Sequence, residues 1–469
     1  MAMNEQQSCK KRLTDFVPTQ LVQNQKISHY LSSFSLLVII VLFGLYAYFN
    51  AANNDTYGDA FLPVMLFLAW PRFLQFQQFS FSKVLVCLFW SFLGLTIVSI
   101  LLPTSIYANT AWLQKALYRL LFSLGIILTV FNVTRLDQKI LRWGVSVFSI
   151  LLFSFTIFVS YDLVSKIVFE QFTPLPVVEF PWNDKYYAFW FVFLTWGSVA
   201  LLWRRGTAWT VVAMIVGVTG AWSIFMTTSE SSQLAFVVGL IVFVLCQLPL
   251  QSLRYAFHMS MFFLMFFIPC CWVLLTPLAP IVKDSFLFNT STIAGIPASG
   301  IAGRIPFYDA ATQLIHEKLI LGYGFGSVLS LPVLPGTFPG VNTLPGGHPH
   351  NIVLLFFLEQ GLLGVLWFAL AIFILFNYLY KATLGRREGP AVWALVGSAQ
   401  VLFSLSFDIW QADVVMLYAM FFVLLLVNVG TSDVRISQTS LERNACYFLV
   451  LLTGVGIFCH TVNYFVQGT

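Results

Sequence analysis

The chain has 469 residues, of which 59% are hydrophobic and only 9% are charged, and its formal net charge is +5. Soluble domains carry charge on about a quarter of their residues, so this composition excludes a soluble globular protein and indicates a chain whose solvent is a lipid bilayer. The seven cysteines form neither a disulfide framework nor a Cys/His metal spacing, and the excess positive charge has its meaning in membrane topology, not in nucleic-acid binding.

Apolar runs of roughly 17 to 25 residues predict membrane-spanning helices. They lie at residues 31–49, 60–78, 83–102, 116–133, 143–160, 187–203, 207–226, 233–249, 255–276, 351–380, 391–407, 413–429 and 445–464. Pro71 and Arg72 interrupt the second run, so the predicted count is about 12 or 13. The fold class predicted is an all-α polytopic integral membrane protein with one long periplasmic loop that contains short amphipathic helices.

Residues 1–30 form a polar, basic tail without a cleavable signal peptide, so the first helix is expected to direct insertion. A cytoplasmic amino terminus places 17 of the 24 Lys and Arg residues on the cytoplasmic side and 7 on the other, as the positive-inside rule requires. The domains predicted are this tail, amino-terminal membrane helices at 31–276, a periplasmic catalytic loop at 277–350 and carboxy-terminal membrane helices at 351–469. In this orientation the long loop faces the periplasm or the cell exterior.

Inside the long loop, residues 304–320 are predicted to form an amphipathic helix, with Pro306 in its first turn and Phe307 and Leu314 on its apolar stripe. The glycine-rich stretch that begins at Gly322 stops this helix, and the Pro/Gly-rich segment that follows it predicts irregular structure. Gly322-x-Gly-x-Gly is not a nucleotide-binding loop, because no strand precedes it and no Lys-Ser/Thr follows it.

The loop ends in His348-Pro349-His350-Asn351, directly before an apolar run. Asn351 is a suitable helix cap, so four backbone N–H groups and the positive end of the helix dipole are expected beside His350, where they would favour phosphate. An imidazole with a reference pKa near 6.5 can accept a proton from a hydroxyl at neutral pH. Alternatively, both histidines are ordinary polar residues of an exposed loop. If one is a base, the helix start favours His350 over His348.

Glu359 is predicted to lie about 13 Å along the same helix, at 1.5 Å per residue. A carboxylate at that depth is costly unless it is paired or faces water, which makes it a functional candidate. The alternative is a buried hydrogen bond that fixes helix packing. Gly361 and Gly364 follow it and permit a close helix contact.

Further candidates are charged or polar residues predicted at the outer face. Arg304, the only arginine of the long loop, has the planar fork suited to phosphate oxygens, or else is a solvated residue at a helix start. Glu230 lies in one predicted outer turn, and Asp408 and Gln411 lie in another. Each turn places an acid at the outer face, where a sugar or a metal could bind, but a solvated turn is the better explanation of each taken singly.

Together these motifs resemble the O-antigen ligase and Wzy-type polymerase superfamily. The resemblance covers roughly residues 207–429 and rests on the following residues in order: Arg304, Tyr308-Asp309-Ala310-Ala311, Gly322-Tyr323-Gly324-Phe325-Gly326, His348-Pro349-His350-Asn351, Glu359-Gln360-Gly361-Leu362-Leu363-Gly364 and Trp410-Gln411. It implies an inverting, metal-independent glycosyltransferase without a cofactor. Such an enzyme moves a glycan from undecaprenyl diphosphate to a hydroxyl, which belongs to the lipid A core in ligases and to a second carrier-linked glycan in polymerases.

The resemblance also implies roles for individual residues. His350 would be the base, and Arg304 would neutralise the diphosphate. For an enzyme of this kind, the residues predict Glu359 or Asp408 as the orienting group. Many members carry Ser-Arg where this chain has Ser229-Glu230, so Lys318 or Lys283 would have to supply the second cation. The remaining predicted substrate contacts are His348, Asn351, Lys318, Glu230, Asp408 and Gln411. Two other classes compete: a transporter or flippase of lipid-linked glycan, which usually shows symmetric halves, and a structural membrane scaffold.

Overall fold

Long apolar runs separated by short turns give the chain its helices. In the computed structural model, the described residues are 91, 94, 184–203, 206–225, 227, 229–248, 251–275, 305–324, 327–331, 349–383, 385–387 and 389–405. The helices are α1 (Asp184–Leu202), α2 (Thr207–Phe225), α3 (Glu230–Gln247), α4 (Gln251–Leu275), α5 (Ile305–Glu317), α6 (Ile352–Thr383) and α7 (Gly389–Leu405), with a 3₁₀ turn at Ser327–Ser330. The predicted spans before residue 184 and after residue 407 lie outside these ranges.

Every helix predicted within the described ranges is present, with bounds that differ by a few residues, and these ranges contain no strand. The all-α class is therefore confirmed. Four of the helices, α2, α3, α4 and α6, are long and apolar enough to cross a membrane, and α1 and α7 contain shorter apolar stretches. The chain is a multi-pass membrane protein. The amphipathic helix predicted in the long loop is α5.

Helices α1, α3 and α7 pack closely because small residues lie where their axes approach. A Cβ on Gly239 of α3 would collide with the Trp196 indole of α1 and with the Ser398 hydroxyl of α7. That hydroxyl donates to the Ala235 carbonyl of α3 at 2.8 Å. Polar groups in a membrane interior need partners, and close backbone approach supplies them here.

Contacts between helices define two ends of the bundle. At the first, the His258 ring of α4 stacks on Trp393 of α7 at 3.8 Å between ring centroids, and Tyr255 of α4 contacts Tyr380 of α6. We call this the His258 end. The other, the His350 end, contains the carboxyl ends of α4 and α7, the start of α6, and α5, as described below.

Helix α6 is interrupted at Gly361, whose φ of 64° and ψ of −161° are not helical. The residues that follow α5 enter the gap: Tyr323 N–H donates to the Leu358 carbonyl at 2.7 Å and Gly324 N–H donates to the Glu359 carbonyl at 2.9 Å. In return, Leu362 N–H donates to the Leu319 carbonyl at 2.8 Å. The carbonyls and the N–H group that lose their helical partners at the break are therefore still hydrogen-bonded, because the segment 319–324 supplies replacement partners.

Two glycines make this crossing possible. A Cβ on Gly322 would lie 2.5 Å from the backbone carbon of Glu359, and one on Gly361 would collide with the Ile320 carbonyl. Both residues also have positive φ, at 67° and 64°. No side chain other than hydrogen fits either position without a shift of backbone. We call residues 319–324 and 358–363 together the crossing; it ties α5 to the middle of α6.

Candidate functional site

His350 lies at the start of α6 in an unusual backbone conformation. Its φ of 54° makes it the only non-glycine residue with positive φ in the described part of the chain. Side chains other than glycine seldom adopt this left-handed region, although histidine and asparagine do so more often than most. Strained backbone of this kind concentrates at functional sites, where neighbouring structure holds it in place.

Asn351 caps α6, as its sequence position predicted. Its side-chain oxygen accepts hydrogen bonds from the backbone N–H groups of Val353 and Leu354 at 2.9 and 3.1 Å. This arrangement changes one expectation. Of the four backbone N–H groups expected to attract a phosphate at this helix start, the Asn351 side chain occupies two. Anion binding here must therefore rely more on cationic side chains than the sequence suggested.

Three helices meet beside His350. The Phe307 ring of α5 meets the His350 imidazole edge to face, with centroids 5.0 Å apart and planes at 85°. The Ser404 carbonyl in the last turn of α7 accepts from the Asn351 side-chain N–H at 2.9 Å and from the Tyr308 hydroxyl at 3.4 Å. Trp272 of α4 packs against the Tyr308 ring. His350 itself is half-buried.

Glu359 is buried, with 1% of its surface exposed, in a part of α6 where all residues from 352 to 360 are buried. The sequence placed it about 13 Å along one straight membrane helix. In the structure, α6 breaks two residues later, at Gly361. Residues 362–383 alone provide about 33 Å of helix, enough for a hydrocarbon core of roughly 30 Å. Glu359 therefore lies in the short segment of α6 before the break, within the crossing.

Lys318 lies just beyond the carboxyl end of α5. Its ammonium group is 6.0 Å from the centroid of the Tyr323 ring, and the Tyr323 hydroxyl donates to Glu317 at 2.6 Å. Phe307, which contacts His350, is eleven positions earlier, or about 17 Å along a helix. The structure thus places Lys318 and His350 toward opposite ends of α5, not around one reacting atom.

Glu230 is the first residue of α3, and its side chain is exposed. The preceding turn is closed by Gln233, whose side-chain N–H donates to the Thr227 carbonyl at 2.8 Å, and by a 2.8 Å contact between the hydroxyls of Ser229 and Ser232. Helix α3 runs antiparallel to α7, because Ala235 near its start bonds to Ser398, and Cys246 near its end contacts His258, which stacks on Trp393 near the start of α7. Glu230 therefore belongs to the same end of the bundle as Ser404 and His350.

Four predicted site residues lie outside the described residues: Arg304, His348, Asp408 and Gln411. Arg304 directly precedes the first residue of α5, and His348 is two residues before His350. Their roles stay predictions.

Sequence reasoning missed three parts of this site. Phe307 was assigned only to an apolar stripe, and the Ser404 carbonyl has no side-chain signature at all. The crossing was also missed, although both of its glycine motifs were noticed separately. The available signal was a glycine motif at Gly322 and another at Gly361. Such motifs do not show by themselves that the two segments contact each other.

Fold and site together define a polytopic membrane protein with a strained, half-buried histidine where a loop helix, a broken membrane helix and a third helix end meet. Residues 213–369 match the family model of O-antigen ligase. This match confirms the resemblance to the O-antigen ligase and Wzy-type superfamily over residues 213–369. The family indicates a glycan-processing membrane enzyme whose substrates are a lipid-linked glycan and an acceptor. No curated protein matches the chain.

The matched range contains most of the candidate residues. Glu230, Lys318, His350, Asn351 and Glu359 lie within it and are described by the structure; Arg304 and His348 lie within it as well. Asp408 and Gln411 lie beyond its end at residue 369. The family match and the strained backbone thus coincide at His350.

Proposed function

We propose that this protein is an O-antigen ligase-like glycosyltransferase that moves a glycan from undecaprenyl diphosphate to a hydroxyl of the lipid A core. The observation that carries the proposal is His350, held with positive φ at a capped helix start inside the matched domain. In this proposal the protein is a bacterial inner-membrane enzyme with a cytoplasmic amino terminus and a periplasmic site. It uses neither metal nor cofactor.

The proposed reaction is a single inverting displacement. The acceptor hydroxyl loses its proton to the neutral His350 imidazole while its oxygen attacks the anomeric carbon of the donor sugar. The bond from that carbon to the diphosphate oxygen breaks, and undecaprenyl diphosphate leaves with the electron pair. A positioned base of this kind contributes about 10²- to 10⁴-fold to a rate.

Positively charged protein groups have to balance the charge on the leaving diphosphate. Preorganised groups that stabilise the charge of the transition state usually make the largest contribution to the rate. Arg304 is the proposed first ligand, since it directly precedes α5, whose first turns contact His350. Lys318 lies toward the far end of α5, so its proposed contact is with another part of an extended glycan or carrier. Glu359 is proposed to orient catalytic groups through the buried part of α6.

The other substrate contacts are proposed by position. Glu230 is exposed at the same end of the bundle as His350, where it could accept hydrogen bonds from sugar hydroxyls. His348, Asp408 and Gln411 are proposed to bind glycan as well. A direct substrate contact by Asn351 would require its amide to release its present partners, which leads to a different role for it below.

Turnover by purified protein tests this function. Undecaprenyl diphosphate-linked oligosaccharide is supplied with lipid A core in detergent containing EDTA, and release of undecaprenyl diphosphate is measured together with the product. Wild type is expected to glycosylate the core, and His350→Asn is expected to be at least about 100-fold slower. Asparagine is the appropriate replacement because it tolerates positive φ but is not a base. Arg304→Ala should also reduce turnover strongly.

Each other outcome selects an alternative. Elongated carrier-linked chains with an untouched core would identify a Wzy-type polymerase of repeat units. No cleavage of the carrier bond, combined with movement of lipid-linked glycan across proteoliposomes, would identify a transporter. Full activity in His350→Asn would place the chemistry elsewhere.

A further inference from the structure

One asparagine side chain caps two helices at the proposed site. The Asn351 side-chain oxygen accepts from two N–H groups at the start of α6, and its side-chain nitrogen donates to the Ser404 carbonyl near the end of α7. The first N–H groups and last carbonyls of a helix have no partner within it. The amide of Asn351 therefore satisfies an orphan group of each type at once, and only 3% of its surface is exposed.

This double cap is adjacent to the strained residue. His350 has a φ of 54°, a conformation that persists only when surrounding structure determines it. The Asn351 cap fixes where the backbone enters α6, and its bond to Ser404 fixes that entry point against α7. The imidazole of His350 takes its position from this backbone.

A second contact sets the direction of the ring. Phe307 meets the His350 imidazole edge to face at 5.0 Å, and the next residue, Tyr308, donates its hydroxyl to the same Ser404 carbonyl. Helix α5 and the start of α6 thus both hydrogen-bond to the same carbonyl oxygen of α7, that of Ser404. The Ser404 carbonyl therefore helps to position both the backbone of His350, through Asn351, and its ring, through the helix that carries Phe307.

We infer that Asn351 is a positioning residue for His350, acting through its double cap and assisted by Phe307, and not a substrate ligand. This inference rests on the proposed function, since it assigns Asn351 a role only through the base. A displacement of a reacting group by about 1 Å can lower a rate by about 100-fold. Loss of Asn351 should consequently lower kcat and leave the KM for the lipid-linked donor unchanged.

Asn351→Ser separates the two halves of the cap. Serine still accepts at a helix start, so α6 keeps its cap, but its short side chain cannot reach the Ser404 carbonyl. Asn377→Ser is the matched control. The Asn377 side chain also donates to a backbone carbonyl, but that carbonyl belongs to Phe373 in the same helix, far from His350. We expect about 10- to 100-fold lower kcat for Asn351→Ser and wild-type kcat for Asn377→Ser.

A double-mutant cycle in detergent distinguishes positioning from general loosening, with release of undecaprenyl diphosphate from a carrier-linked oligosaccharide as the readout. If Asn351 acts through His350, adding Asn351→Ser to His350→Asn should lower the residual rate no further. Equal loss in both backgrounds would overturn the inference, and so would wild-type kcat in Asn351→Ser.

A second variant keeps the test decisive if Asn351→Ser does not fold. Phe307→Leu retains an apolar side chain but loses the ring contact, and it should lower kcat about tenfold only when His350 is present. An equal loss in the His350→Asn background would contradict the inference. Wild-type turnover in His350→Asn alone is a separate result, because it would remove the proposed function itself whatever the Asn351 variants do.

Discussion

The two ends of the helical bundle each contain a histidine, but in opposite settings. His258 is 5% exposed, lies in a regular helix, stacks on Trp393 at 3.8 Å and places its Nε2 atom 3.5 Å from the Cys246 sulfur. His350 is half-buried, precedes its helix with a φ of 54° and touches the Phe307 ring from one side. The first imidazole is part of a packed core, and the second is half-buried at a strained helix start.

This difference shows how burial and backbone together separate a structural histidine from a candidate base. His258 lies within an apolar run and His350 directly before one, and composition alone does not rank them. The His258 end satisfies its polar groups internally, as when the Trp393 indole N–H donates to the Thr383 hydroxyl at 2.9 Å. At the His350 end, the hydrogen bonds of Asn351 instead hold the backbone next to the strained residue His350. Substitutions at the two ends should therefore separate stability from turnover.

The largest loss of stability is expected at the crossing that joins the His350 end to α6. Gly361→Ala places a Cβ against the Ile320 carbonyl at a φ of 64° and should destabilise the protein by about 2 to 4 kcal/mol, the sum of backbone strain and overpacking. Thermal unfolding in detergent measures this. Gly385→Ala is the control, because its φ is 71° but no atom lies within 4 Å of the added Cβ, so about 1 kcal/mol is expected. Equal losses would show that the crossing is not tightly packed.

At the His258 end, His258→Ala should lower stability by about 2 kcal/mol, because it leaves a cavity against Trp393. Turnover per folded molecule should not change. His258→Phe retains a flat ring and should recover most of the loss. A large drop in turnover of folded His258→Ala protein would contradict the division of roles between the two ends.

The pH dependence should belong to the His350 end alone. A base must be neutral to accept a proton, and a histidine has a reference pKa near 6.5. Turnover should therefore rise with pH as the imidazole loses its proton and then level off. This rise should be absent from the residual rate of His350→Asn and retained in His258→Phe. The same rise in His350→Asn would assign it to another group.

The smallest effect is expected for Thr383→Val, a nearly isosteric change that removes the acceptor of the Trp393 indole N–H. A buried donor without its acceptor costs about 1 to 3 kcal/mol, and we expect the lower value here because valine has nearly the same volume as threonine and leaves no cavity. Unfolding temperature should fall slightly with turnover unchanged. A larger effect on turnover than on unfolding would link this end to catalysis.

Sequence reasoning succeeded where the signal is local. The apolar runs gave the described helices, and Asn351 was recognised as a cap because capping depends on residues two and three positions away. It failed where partners are distant. The Ser404 carbonyl lies 53 positions from Asn351, and the crossing consists of backbone bonds between segments separated by about forty residues. The apolar run that contains Glu359 also gave no sign that its helix breaks at Gly361.

The central claim is that glycan transfer depends on His350 as a base, whereas His258 contributes only to stability. The most direct measurement is release of undecaprenyl diphosphate by His350→Asn and His258→Asn, prepared and assayed side by side with their unfolding temperatures. We predict that His350→Asn loses at least about 100-fold in rate while its unfolding temperature is unchanged, and that His258→Asn loses stability while its folded fraction turns over normally. A wild-type rate in His350→Asn, or equal losses of rate in both variants, would contradict the account.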